Sequence, residues 1–155
     1  MAETEKYKQR YNWNLDFAVN LGDIHGRFFE GLEDKQILGN ECPDCGNSFV
    51  PPQPHCDECF TETDDWFESD GVGTIESYTV THMQFGNMPE PPYITGVIRI
   101  GDSATCMLHF VGGIDYDDPE ELQEKVHKGM EVQPVWSDDR DAAIQDIEYF
   151  EPVDS

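Results

Sequence analysis

The chain has 155 residues and a net charge of −24, from 33 acids against 9 Lys and Arg. That length suffices for one domain with a small appended module, and such acidity opposes any polyanion, whether nucleic acid or anionic membrane. No apolar run approaches the roughly eighteen residues of a membrane span and no basic-then-apolar leader is present, so the chain reads as neither membrane-spanning nor secreted.

Residues 1–22 are polar with scattered aromatics, Tyr7, Tyr11, Trp13 and Phe17, and read as an extension that docks on something rather than a domain. Residues 23–40 read as a helix and a lead-in strand. Asp23 is the expected N-cap, and Phe28, Phe29 and Leu32 fall on one helical stripe. The Gln36-Ile37-Leu38 run and Gly39 are expected to end the helix and open a strand that delivers Cys42.

Residues 41–67 carry the strongest signal. Cys42-Pro-Asp-Cys45 and Cys56-Asp-Glu-Cys59 are two CxxC turns with ten residues between them. Each turn aims two sulfurs at one point, and two turns supply four thiolates, the closed tetrahedral shell of a structural zinc. A closed shell holds shape and does no chemistry. Clustered CxxC pairs with an odd fifth cysteine, Cys106, also fit a reducing cytoplasm better than an oxidising space. Pro51, Pro52 and Pro54 stiffen the link between the turns. Gly46 follows the first turn, where a positive φ is often needed, whereas Phe60 stands at the matching place in the second.

Residues 68–155 change to a period of two. Strands are expected over 72–82, opened by Gly71 and Gly73, then over 93–100, 104–111, 130–136 and 144–150. Gly101-Asp102 reads as a hairpin turn, and Asp117 and Asp118 as caps of a short helix beginning at Pro119. Five strands with a helix between the third and fourth is the order of an OB-fold barrel. The fold class is therefore mainly β: an N-terminal helix, a rubredoxin-like zinc ribbon, then a five-stranded barrel. Charge agrees with this division. Residues 41–70 hold nine acids and no Lys or Arg, and 111–155 hold fourteen acids and three basic residues. Residues 71–110 hold only Glu76, Glu90, Asp102 and Arg99, as a buried core should.

No catalytic set is visible. There is no GxGxxG, no phosphate loop and no GxSxG. His82 and His109 fall on or beside core strands, and each reads as a hydrogen-bonded wall histidine, since no nucleophile or carboxylate is paired with it. Cys106 reads as a small core residue, without the helix N-terminus or cation that would activate a thiol. The loop 83–92 is apolar, carries Met83, Phe85 and Met88, and is stiffened by three prolines. It reads either as a contact surface for a partner or an acyl chain, or as a loop folded onto its own barrel.

These motifs together resemble an acyl-CoA-associated family, long known as a domain of unknown function, in which a rubredoxin-like zinc ribbon precedes an OB-fold. The resemblance rests on Phe28-Phe29-Glu30-Gly31-Leu32, on Leu38-Gly39-Asn40-Glu41-Cys42-Pro43-Asp44-Cys45-Gly46, and on Phe49-Val50-Pro51-Pro52-Gln53-Pro54 with Cys56-Asp57-Glu58-Cys59. It continues through Gly71-Val72-Gly73-Thr74-Ile75, Asp118-Pro119-Glu120-Glu121-Leu122 and Gly129-Met130-Glu131-Val132. It implies a non-catalytic accessory subunit of a thiolase-type complex, bridging subunits or helping to bind a CoA-linked β-ketoacyl substrate, short or aromatic. It implies that the helix carrying Phe28, Phe29 and Leu32 and the ribbon meet a thiolase-like catalytic subunit; the loop at Phe85 and Met88, apolar yet rigid, is expected to face the same partner or its substrate. The chain departs from the pattern in a longer N-terminal extension, an insertion near 123–128, and few basic residues to meet CoA phosphates.

Two other readings compete. A ribbon with an OB-fold can be a nucleic-acid-binding module, but the acidity and the single Arg of residues 71–110 argue against it. Iron in the cysteine shell would make a rubredoxin-like electron carrier, which the attached barrel and the unlike second turn disfavour.

Overall fold

The computed structural model describes residues 18–86 and 88–153. The expected extension therefore lies almost wholly outside the described residues, apart from residues 18–22.

Helix α1 spans Gly22–Glu33. Asp23 does not cap it. It sits inside the first turn, where its charge meets the helix dipole, and the Asn20 side chain instead accepts the Gly22 N–H at 3.1 Å. The helix ends earlier than Gly39 suggested. Lys35 takes a left-handed φ of 62°, and the N–H groups of Lys35 and Gln36 return to the carbonyls of Leu32 and Gly31. Arg140 adds a cation there, its Nε donating to the Glu33 carbonyl at 2.8 Å.

A three-stranded antiparallel sheet follows, in the order β2-β1-β3, from β1 (Ile37–Glu41), β2 (Ser48–Phe49) and β3 (Asp65–Ser69). The lead-in strand is thus the centre of the ribbon sheet. Gly39 has its reason here: a Cβ would lie 2.6 Å from both the Phe67 ring and the Val50 side chain. Helix α1 is tied to this sheet by Arg27, whose guanidinium lies 4.3 Å from the Trp66 ring centroid.

The remaining strands are β4 (Gly73–Thr81), β5 (Tyr93–Ile100), β6 (Met107–Val111), β7 (Glu131–Trp136) and β8 (Ile147–Pro152). They close into a barrel in the order β4-β5-β6-β8-β7, with the parallel β6–β8 contact at Val111 and Phe150. Helix α2 (Pro119–Lys125) stands between the third and fourth barrel strands, capped by Asp118, whose carboxylate accepts the N–H groups of Glu120 and Glu121. This is the five-stranded OB-fold that the period-two pattern implied. The third strand begins at Met107 rather than Ala104, because Ser103 and Thr105 are occupied in holding the ribbon. Cys106 is exposed, which corrects its reading as a core residue: the inward position at the strand's start belongs to Met107. The fifth strand is preceded by a 3₁₀ turn over Ile144–Asp146.

One buried cluster runs through the barrel and beyond it. Ile75, Ile94, Ile98, Ile100, Val132, Ile147 and Phe150 fill the barrel, and Phe28, Leu32, Ile37 and Val50 belong to the same cluster. The barrel's core therefore reaches under helix α1 and the ribbon sheet. The ribbon's separate cluster contains Cys42, Phe49 and Cys56.

Candidate metal centre and apolar cleft

Two matched turns build the cysteine site. In the first, the Cys42 N–H donates to the Asn47 carbonyl at 2.8 Å and the Gly46 N–H to the Cys42 carbonyl at 2.9 Å. In the second, Cys56 donates to Thr61 and Phe60 to Cys56, both at 2.9 Å. The sulfurs of Cys42, Cys45, Cys56 and Cys59 all lie within 4.8 Å of one another. Those of Cys45 and Cys56 are 3.7 Å apart. A tetrahedral zinc with Zn–S bonds of about 2.3 Å places its sulfurs roughly 3.8 Å apart, so the cage has the right size. None of the four is in a disulfide. Without a cation the Cys59 thiol is pushed up to about 12, first by its contact with the Cys45 sulfur and then by desolvation. Four thiolates at one point repel one another and need a dication among them, so the donor chemistry fits zinc as well as the geometry does.

The second turn costs more than the first. Gly46 and Phe60 stand at matching places with left-handed φ values of 77° and 60°. Glycine adopts that conformation freely, whereas a residue with a Cβ loses about 1–2 kcal/mol by crowding the following carbonyl.

Asn40, fully buried, locks the cage from behind. Its Nδ2 donates to the carbonyls of Gln53 and Thr63 at 2.7 Å each, and its Oδ1 accepts the Gln53 N–H at 3.1 Å. One amide thus joins the strand before Cys42 to the segments on both sides of the second turn. Ser103 and Thr105, in the turn before β6, grip the same region. Ser103 Oγ accepts the Val50 N–H at 2.7 Å, Thr105 Oγ1 donates to the Pro51 carbonyl at 3.1 Å, and the Ala104 N–H donates to Ser48 at 2.8 Å. These three polar anchors carried no sequence signal beyond isolated small polar residues.

On the barrel an apolar cleft of about 720 Å³ opens between the 82–92 loop, β5, β6 and the 3₁₀ turn. Phe85, Met88, Tyr93, Leu108, Phe110 and Ile144 are among its walls. Phe85 and Met88 line it while remaining half exposed. His109, on its inner side, has both ring nitrogens engaged. Nε2 lies 3.2 Å from the Ile144 carbonyl, to which it donates, and Nδ1 accepts the Phe110 N–H at 2.9 Å. Burial lowers its pKa, so it stays neutral. Neither nitrogen is therefore free in this arrangement to take a proton from a molecule in the cleft. His82 is exposed in the loop after β4.

The helix stripe needs correction. Phe28 and Leu32 are 2% and 0% exposed and sit in the chain's own core, packed under the ribbon sheet. They do not face a partner. The stripe was legible as apolar, but the sequence did not show that the barrel core extends to cover it. Phe29, half buried against Phe28 at 5.6 Å between ring centroids, is the member that reaches the surface.

A closed four-sulfur cage on a ribbon sheet, fused through a shared core to an OB barrel, defines a zinc-ribbon/OB-fold protein. The family model described as the ChsH2 rubredoxin-like zinc ribbon domain matches residues 29–65, and that described as the ChsH2 C-terminal OB-fold domain matches residues 66–137. The chain belongs to this ChsH2 family, also called DUF35. Two similar solved structures agree. A DUF35 protein of unknown function from Sulfolobus solfataricus is 26% identical, with a TM-score of 0.58 over 74% of this chain and 78% of that one. A chain of the Ltp2–ChsH2(DUF35) aldolase is 25% identical, with a TM-score of 0.62 over 88% of this chain and 98% of that one. No curated protein matches.

Proposed function

We propose that this chain is a cytoplasmic, non-catalytic accessory subunit of a thiolase-type acyl-CoA complex. The observation that carries the reading is the likeness to a chain of the Ltp2–ChsH2(DUF35) aldolase, which extends over nearly all of that chain. The site chemistry supports it. The cage is closed by four sulfurs, and the cleft holds a histidine whose two nitrogens are spent, with no Cys or Ser among the described residues that line it. Catalysis then falls to a partner that brings its own nucleophile.

The cleft suits the apolar end of a CoA-linked β-ketoacyl substrate or the partner's wall around it. Among the described residues no Lys or Arg lines it, and Glu148 does. The CoA phosphates therefore belong to the partner, and Phe85 and Met88 are the residues through which this chain touches acyl group or tunnel. Nucleic acid is not a ligand in this reading, because a chain of net charge −24 has few cations to release counterions from phosphates.

A tagged chain purified from its native host, followed by thiolysis and condensation assays, tests the proposal. The expected result is co-purification of a thiolase-type subunit, activity in the complex and none in the isolated chain. Turnover by the isolated chain, or a complex without any acyl-CoA enzyme, contradicts it.

A further inference from the structure

Phe60 is the most exposed large apolar side chain among the described residues, at 81%. It also holds a left-handed φ of 60° at the place where the first turn uses Gly46. The two turns make the same backbone hydrogen bonds, so nothing in the cage requires an aromatic there. The residue is unfavourable twice, in its backbone and in water. A left-handed backbone at a bulky aromatic is the outlier of the two, and such an outlier points to a use outside the chain's own fold.

Its surroundings say what that is. Asp44, Asp57, Glu58 and Glu62 are exposed on the two turns, and residues 41–70 contain no Lys or Arg. We propose that Phe60 is an anchor that enters an apolar socket rimmed by Lys and Arg on the catalytic subunit; this rests on the function proposed above. Charge selects the occupant. A second copy would bring the same acidic ring, and nucleic acid or an anionic bilayer would bring more negative charge. A basic-rimmed socket is attracted instead, with the aromatic giving affinity and the ring giving association rate.

The test uses the full chain and its co-purified catalytic subunit. Phe60→Gly suits the left-handed φ, so the isolated variant should keep its zinc and melt no lower than the wild type. Its Kd for the catalytic subunit should weaken at least about tenfold, in the range of a truncated anchor. Phe60→Asn, which also tolerates that φ, should behave alike. The pair Asp57→Asn and Glu58→Gln should slow association severalfold at low salt and little at high salt. Binding of the zinc-loaded Gly variant within about twofold of wild type overturns this inference alone. So does self-association of the wild-type chain, seen by sedimentation, that Phe60→Gly abolishes. Absence of any acyl-CoA enzyme from the wild-type complex overturns this inference and the proposed function together.

Discussion

The ribbon and the barrel reach stability by opposite means. The barrel's β5 alternates half-buried and buried residues along its whole length, with Ile94, Ile98 and Ile100 turned inward. Closing such strands on themselves makes a core of branched aliphatic side chains. The ribbon's separate cluster is Cys42, Phe49 and Cys56, too little apolar surface to offset the entropy of ordering its loops. What ties it together instead is the four-sulfur cage suited to a metal, the Asn40 amide, and the Ser103 turn lent by the barrel. A small module beside a large one survives by cross-links and polar locks, and the large one needs neither.

Removing the metal should separate the two regions most sharply. Structural zinc supplies roughly 10 kcal/mol or more to a site of this kind. Cys45→Ser, or a strong chelator, should release zinc and open residues 42–62 to proteases. The barrel amides of β5 should keep their slow hydrogen exchange, because their burial does not depend on the cage. Elemental analysis and exchange mass spectrometry read both outcomes.

The converse break is in the barrel. Ile98→Ala leaves a cavity at a fully buried site and should cost about 3–4 kcal/mol in denaturant titrations, while the folded variant still binds one zinc. Loss of zinc in the folded variant would mean that the two regions are coupled more tightly than their cores suggest.

Asn40→Ala should cost about 1–3 kcal/mol, since it strands the part-buried N–H of Gln53 and the buried carbonyl of Thr63. The loss belongs to the ribbon, so zinc affinity should fall with it, as measured by competition with a chromogenic chelator.

The smallest expected effect is on pH. Burial holds His109 below the ordinary histidine value of 6.5, so the unfolded chain takes up the proton first. Stability contributed by the neutral ring is therefore present above about 6.5 and declines as pH falls toward the lower folded value. His109→Gln should flatten that part of the stability–pH curve in the barrel without altering zinc content.

What was legible in the sequence follows from local physics. The CxxC spacing dictates that four sulfurs converge, because each turn's geometry is set within five residues. The period-two pattern and the Asp118-Pro119 helix start dictate five strands with a helix after the third. Phe60 was legible as an oddity beside Gly46, although its exposure was not. Tertiary structure alone decided the rest. Phe28 and Leu32 read as an unpartnered stripe, yet the barrel core extends to bury them, a contact between distant segments that no local period encodes. Asn40, Ser103 and Arg140 act across separations of 13 to 107 residues, so their partners appear only once the chain is folded. His109 and Phe85 meet at one cleft for the same reason: strand pairing brings β6 beside the loop after β4, and pairing between strands is set by the closed barrel as a whole.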